Sequence, residues 1–243
     1  MAGKFSRITS GKFLSLSLSL SLDEIKSRLT ALEFQIAFAT ELLKQSNGDN
    51  LNAIFNTIYK TNTWGKGSGP GSDAAVCADY VAFLQAFFKE NGIKSVVDCG
   101  CGDWQFSRNI DFTGIDYKGF DVANFVIERN LAAFARENVN FYLYDGDFRA
   151  LPSADLLICK DVLQHLPNAK IQDFISILNR FKFALITNDI GDEVNADIAA
   201  GGYRALDLRQ EPFGLDLQVV HSILRMPRAP DILAMLWENP KFK

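Results

Sequence analysis

Five short apolar runs, at residues 95–99, 117–122, 140–144, 156–160 and 183–188, recur along the chain with helix-patterned stretches between several of them, notably 124–137 and 168–181. No other feature limits the fold so tightly. Short runs that are apolar throughout read as strands buried on both faces, and such strands need helices above and below the sheet. Each return to the sheet in parallel then takes a right-handed crossover. The chain is therefore predicted to be α/β, with a doubly wound, mostly parallel sheet. Two further runs, 217–224 and 231–237, flank Arg-Met-Pro-Arg-Ala-Pro and read as a hairpin. They bring the sheet to seven strands and give it an antiparallel C-terminal edge. A helix at 75–91, with Asp73 placed as its cap, precedes the first strand.

The first fifty residues lie outside this rhythm. Leu14 to Leu22 alternates Leu and Ser, a period of two that reads locally as a strand. The basic start (Lys4, Arg7, Lys12) suggests a signal peptide, but Ser interrupts every second position and no small-x-small cleavage site follows. No stretch reaches the ~20 apolar residues of a membrane span. From Leu22 the period lengthens. Leu22, Ile25, Leu29, Leu32, Ile36, Ala39 and Leu43 form an alternating 3–4 heptad seam, with Asp23, Glu24, Lys26, Arg28 and Glu33 on the outside. Such a seam can join two copies into a homodimer through a short coiled coil, or lie as an amphipathic helix on its own domain; both readings fit. Asn47-Gly-Asp-Asn50 marks a loop, dividing the chain into an N-terminal helical extension (1–50) and a larger domain (51–243).

Composition narrows the function classes. With 243 residues, 48% of them hydrophobic, the chain can fold around its own core without disulfides or metal. A net charge of −4 and the absence of a basic cluster argue against a nucleic-acid partner. Cys77, Cys99, Cys101 and Cys159 form no CxxC pair and have no metal-ligand spacing with His165 or His221. The expectation is reduced thiols in a cytoplasmic protein with no metal site.

The chemistry concentrates in Ser95-Val-Val-Asp-Cys-Gly-Cys-Gly-Asp-Trp104. A buried strand there ends in a Gly-x-Gly turn at Gly100 and Gly102, where a backbone without Cβ lets a ligand approach the carboxyl edge of the sheet. A dinucleotide fingerprint would require a third glycine where Gln105 stands, and it gives no role to Asp98.

With Asp98-Cys-Gly-Cys-Gly102, the sequence resembles the class I S-adenosylmethionine-dependent methyltransferases, a Rossmann-like family whose first motif is an acidic residue, one variable residue and Gly-x-Gly. Gly119-Phe-Asp121, Asp147-Phe148 with Leu151-Pro152, and Asp155-Leu-Leu-Ile-Cys-Lys-Asp-Val-Leu-Gln-His-Leu-Pro167 follow in family order. With Thr63-Trp-Gly-Lys-Gly-Ser-Gly-Pro-Gly-Ser72, Gly-Asp-Trp-Gln-Phe-Ser107 and Leu185-Ile-Thr-Asn-Asp189, they look like a bacterial subgroup associated with glycan or small-molecule modification. The resemblance covers residues 54–243. It implies S-adenosylmethionine as cofactor, with Asp121 and Val122 at the ribose and Asp147 and Phe148 at the adenine. Asp145 competes with Asp147 for the adenine amine. The resemblance further implies Gly100, Cys101 and Gly102 beneath the cofactor, with Asp98 and Asp103 near its cationic end. Trp64, Trp104 and Lys160 complete the expected cofactor set. Asp121 stands 21 positions after Gly100, the spacing of one βαβ unit.

A sulfonium methyl is already activated, so a methyltransferase mainly aligns the acceptor and, for an alcohol, removes its proton. His165, on the loop after the fourth strand, is the candidate base, with Asp161 second. His221, inside an edge strand, is read as structural. Trp64 and the Gly-Ser stretch after it read either as a lid or as a plain linker. Acceptor contacts are expected from 188–215, with Asp189, Tyr203, Arg204 and Asp207. The expected reaction is O-methylation of a small hydroxylated acceptor, a sugar or glycan precursor. The alternatives are a natural-product or other small-molecule O/N-methyltransferase, and a non-catalytic cofactor-binding scaffold.

Overall fold

The computed structural model describes residues 50–191, 195–223 and 232–242, together with Leu22, Ile25, Lys26, Leu29, Thr30, Leu32 and Ile36, which are helical. Helix α1 (Leu51–Lys60) is one the sequence reading left unassigned. Asn50 caps it by accepting the Ala53 N–H, and Leu51, Ile54, Phe55, Ile58 and Tyr59 bury one face. The helix α2 (Ala78–Glu90) follows, buried through Tyr80, Val81, Leu84, Phe87 and Phe88 at 3–4 spacing. It starts later than predicted because Asp73 does not cap it. The Asp73 carboxylate instead accepts the Ala75 N–H, closing a turn before the helix begins.

The sheet then builds as predicted. Strands β1 (Ser95–Cys99), β2 (Asp116–Asp121), β3 (Val139–Leu143), β4 (Ala154–Lys160) and β5 (Phe181–Asp189) pair in parallel. β6 (Gln218–Ile223) and β7 (Ile232–Glu238) add antiparallel pairings, β5 with β7 and β7 with β6. Among the described residues the order is β3-β2-β1-β4-β5-β7-β6, a sheet of seven strands. Helix α3 (Asn124–Phe134) lies between β2 and β3, and α4 (Asn168–Ser176) between β4 and β5. The predicted helix 168–181 stops early; the chain tightens into a 3₁₀ turn at Leu178–Arg180 before β5. The residues joining β6 to β7, the Leu-Ser stretch before Leu22, and Ala39 and Leu43 of the heptad seam lie outside the described residues.

Alternation along each strand feeds two cores. Val97, Cys99, Leu157, Cys159, Ala184 and Ile186 face one, which α1 helps close; Val96, Leu156, Ile158 and Leu185 face the other, under α2. His221 stacks on Phe83 at 5.0 Å in the second core, a packing position. Strand order reverses direction between β1 and β4. At the carboxyl ends of those two strands lies the crevice where open α/β sheets take ligands. Among the described residues, no helix is long and apolar enough to cross a membrane.

Candidate functional site

The crevice is a cavity between the strand ends and the segment following α1. Its floor is the turn after β1. Gly100 and Gly102 sit at φ +80° and +55°. A Cβ on Gly100 would stand 2.3 Å from a Val162 methyl, and one on Gly102 2.4 Å from the Ser68 hydroxyl, so any larger residue collides as well as strains. The Gly100 and Cys101 N–H groups both donate to the Phe120 carbonyl, at 2.7 and 3.0 Å, and the Asn130 amide donates to the Gly102 carbonyl at 2.7 Å.

Two buried carboxylates frame this turn. Asp121, at the end of β2, accepts the N–H groups of Gly102 (3.0 Å) and Ala123 (2.8 Å). Burial raises its pKa to about 6 against these hydrogen bonds, which favour the charge. Asp98 accepts the Tyr117 hydroxyl at 2.7 Å, and that hydroxyl accepts the Trp104 indole N–H at 2.8 Å. Burial pushes Asp98 up to about 7, opposed by Tyr117. Both line the cavity with Gly100, Cys101, Gly102 and Val122.

At the end of β4, the Lys160 ammonium reaches the Asp161 carboxylate at 2.6 Å and the Gly71 carbonyl at 2.8 Å. Asp161 adopts φ +56°, a left-handed backbone that is costly for a residue with a Cβ. Its other oxygen accepts the Thr187 hydroxyl at 3.1 Å. This pair ties the strand end to the segment above it, although 89 residues separate Lys160 from Gly71.

That segment, Trp64 to Ser72, roofs the cavity. The Ser68 hydroxyl donates to Asp103 at 2.7 Å and accepts the Asp103 N–H at 3.0 Å, while the Gln105 amide donates to the Lys66 carbonyl. Trp64 packs edge-on against Tyr59 (5.6 Å) and lies 4.9 Å from the His165 ring. His165 places Nδ1 2.7 Å from the Gly202 carbonyl. A carbonyl only accepts, which puts the proton on Nδ1 and the lone pair of the neutral ring on Nε2. Beyond it the Tyr203 hydroxyl donates to Asp189 at 2.6 Å, and the Asp189 N–H donates to the Gln164 amide oxygen at 2.8 Å.

Most of the expected residues thus meet in one cavity: Trp64, Asp98, Gly100, Cys101, Gly102, Asp121, Val122, Phe148, Lys160, Asp161 and His165 all line it. Three expected cofactor residues are directed elsewhere. Trp104 is 2% exposed in the second core, held by its bond to Tyr117. Asp103 is spent on Ser68 and Gln105 in the roof. Asp147 caps its own 3₁₀ turn and forms a bidentate surface pair with Arg149, which holds its carboxyl below the usual range. Its rival Asp145 accepts the Asp147 N–H at the surface. The wall near Gly146 therefore offers apolar groups, Val122, Tyr144 and Phe148, with Leu51 and Phe55 of α1. The sequence reading missed α1; the spacing of Leu51, Phe55 and Tyr59 on one helical face was the signal available. Of the expected acceptor residues, Asp189 and Tyr203 reach the cavity. Arg204 turns inward to the Gln164 carbonyl and the Asn168 side chain, and Asp207 pairs with Arg209. Among the described residues no cluster of His, Cys, Asp or Glu could hold a metal ion.

No family model matches the sequence, and no curated protein matches it. Solved structures do match in fold. The 1,6-didemethyltoxoflavin-N1-methyltransferase of Burkholderia thailandensis, solved with its substrate and S-adenosylhomocysteine, shares 16% identity over 76% of this chain and 85% of its own, with a TM-score of 0.56. The methyltransferase domain of bacterial CtHen1-CN shares 16% over 66% of this chain and 98% of its own, at 0.51. Mitomycin 7-O-methyltransferase MmcR shares 17% over 76% of this chain and 56% of its own, at 0.50. The chain has the fold of these methyltransferases.

Proposed function

We propose that the chain is an S-adenosylmethionine-dependent methyltransferase that O-methylates a small hydroxylated acceptor, a sugar or glycan precursor. One observation carries the reading: a glycine turn too close-packed for any Cβ lies between two buried carboxylates at the strand-order reversal. Ribose hydroxyls suit Asp121, whose oxygens each keep accepting capacity beyond their one backbone bond. Asp98 suits an ammonium group. Bound there, the cofactor supplies an activated methyl. The chain's own residues then orient the acceptor against the Trp64 indole, exclude water beneath the Ser68–Asp103 clasp, and take the acceptor's proton at His165 Nε2. A sugar ring can lay its C–H face on Trp64 and share hydroxyls with Asp189 and Gln164. The aromatic wall equally favours the second reading, a planar natural-product acceptor methylated at O or N, as two of the structural neighbours are named for.

Calorimetry tests the cofactor. S-adenosylhomocysteine should bind in the presence of a chelator, and Asp121→Asn should weaken it by roughly 1.5–3 kcal/mol, the worth of a charge-assisted hydrogen bond. Binding of NAD in its place sinks the assignment. Release of S-adenosylhomocysteine on incubation with an acceptor pool separates an enzyme from a non-catalytic scaffold.

A further inference from the structure

Trp104 lies in the second core, yet two hydrogen bonds connect its indole to the cavity. The indole N–H donates to the Tyr117 hydroxyl at 2.8 Å, and that hydroxyl donates to Asp98 at 2.7 Å. All three residues are buried, and of the three only Asp98 lines the cavity. Strand register sets the reach. Asp98 of β1 pairs with Gly119 of β2, and Tyr117 stands two residues back on the same strand face. Trp104 holds its place at φ +59°, a left-handed backbone that is costly for a residue with a Cβ. Phe134, Phe141 and Phe112 pack on its ring at 5.0, 5.2 and 6.0 Å.

Chemistry fixes the direction of this chain. An indole N–H only donates, so the Tyr117 oxygen accepts from it and turns its own proton to Asp98. Burial, with the Asp98 charge beside it, raises the Tyr117 pKa well above the usual value, so the phenol keeps that proton. Among the described residues, the Tyr117 hydroxyl is the one hydrogen-bond donor to the Asp98 carboxylate. A protonated acid accepts best at its carbonyl oxygen, so a proton on Asp98 goes to the other oxygen, the one left for a ligand. A hydrogen bond to the carboxylate favours the charged form, and a donor that is itself held by a donor is polarised and binds more strongly.

The surrounding groups leave this bond decisive. Burial is the main force against the charge on Asp98, and Asp121 of β2 adds to it, while Tyr117 and Lys160 of β4 oppose them. Lys160 is already paired with Asp161. Tyr80 of α2, Cys101 of the turn and Cys159 of β4 also sense the Asp98 charge, but burial raises all three and keeps them neutral.

We propose that Trp104 and Tyr117 are positioning residues for the cofactor: a one-way hydrogen-bond relay from the second core holds Asp98 in its ionised, accepting form for the cofactor's ammonium. The proposal rests on the methyl-transfer reading, in which Asp98 receives that ammonium. Trp104 then serves the cofactor site without touching the ligand.

The test uses the full chain and two readouts, from about pH 6 to about pH 9. Carbon-13 NMR of the carboxyl resonance that Asp98→Asn lacks follows the Asp98 titration, and calorimetry follows S-adenosylhomocysteine binding. Tyr117→Phe removes one oxygen and keeps the ring. Its Asp98 should titrate roughly one pH unit above the wild type's value of about 7, the loss of one charge-assisted hydrogen bond. Its S-adenosylhomocysteine affinity should be about tenfold below the wild type's at about pH 6 and within about threefold at about pH 9, where the charge is restored. Trp104→Phe should shift the titration less and in the same direction. The double variant should match Tyr117→Phe, since the indole acts only through the phenol. Trp104→Phe also opens the core, and where it does not fold, Tyr117→Phe decides. If Asp98 in Tyr117→Phe titrates as in the wild type, or if the affinity loss is absent or equal at every pH, the relay is overturned. A double variant that shifts further removes Trp104 from it. A wild-type chain that binds no S-adenosylhomocysteine is a different result and overturns the cofactor reading, while the NMR titration still reports on the relay.

Discussion

At the scale of single residues, the role proposed for His165 as a base can be tested directly. Its Nδ1–H is taken by the Gly202 carbonyl, which fixes the ring and leaves Nε2 with the basic lone pair. Loss of a base needed only in the transition state should lower kcat by about 10²–10⁴-fold. His165→Gln keeps bulk against Trp64, so the cavity wall is kept and S-adenosylhomocysteine affinity should change little. The wild-type rate should rise with pH through a histidine titration that the variant lacks. Near-normal kcat in the variant would assign the ring to packing. The same scale shows where the sequence was legible. Asp98, Asp121 and the two glycines reach the cavity as expected because their positions depend on neighbours fixed by the strand-turn geometry. Asp147 and Trp104 do not line it, because their partners were decided elsewhere. Arg149, two positions on, claims Asp147, and a tyrosine on β2 holds Trp104 inside the second core.

Among elements, the sheet was the most readable, since apolar runs buried on both faces leave little choice of structure. Helix ends were less so. Capping is settled by one side chain's choice of partner, and Asp73 chose Ala75 over the helix that follows. Helix α1 escaped because its apolar face is short, yet it supplies Leu51, Phe55 and Tyr59 to the cavity wall. The N-terminal seam poses the opposite case, a clear pattern whose partner the periodicity left open. The described seam residues Leu22, Ile25, Leu29, Leu32 and Ile36 are helical and 41–66% exposed, so they are not spent on their own domain. A second copy is the partner that heptad spacing suits. With Leu22 as the first core position, Arg28 and Glu33 fall on the flanking positions that pair across two parallel chains. Removing residues 1–49 should therefore convert a dimer into a monomer by light scattering while leaving S-adenosylhomocysteine binding intact. A monomeric full-length chain would rule out this pairing.

For the molecule as a whole, a ligand site assembled from buried carboxylates has a consequence for stability. Asp98 at about 7 and Asp121 at about 6 both titrate above the ordinary value of 3.8 because folding removes them from water. Between the two ranges the folded chain therefore holds protons that the unfolded chain has lost. Stability falls wherever the unfolded state binds fewer protons as pH rises, so these groups should destabilise the unliganded protein progressively from about pH 4 to pH 7, at up to about 1.4 kcal/mol per pH unit for each. The surface carboxylates Asp73, Asp111 and Asp147 act in the opposite direction and in a lower window, since hydrogen bonds and ion pairs hold them below 3.8. Asp98→Asn should accordingly show a shallower loss of melting temperature through the upper window than the wild type. A cationic ligand group beside Asp98 favours its ionised form, so added S-adenosylhomocysteine should release protons near neutral pH and stabilise the wild type more as pH rises through 7. Thermal melts across that range, with and without the ligand and for both proteins, measure each slope. If Asp98→Asn tracks the wild type at every pH, the raised titration of Asp98 does not contribute to stability. If ligand stabilisation does not depend on pH, the cofactor's ammonium does not face this carboxylate.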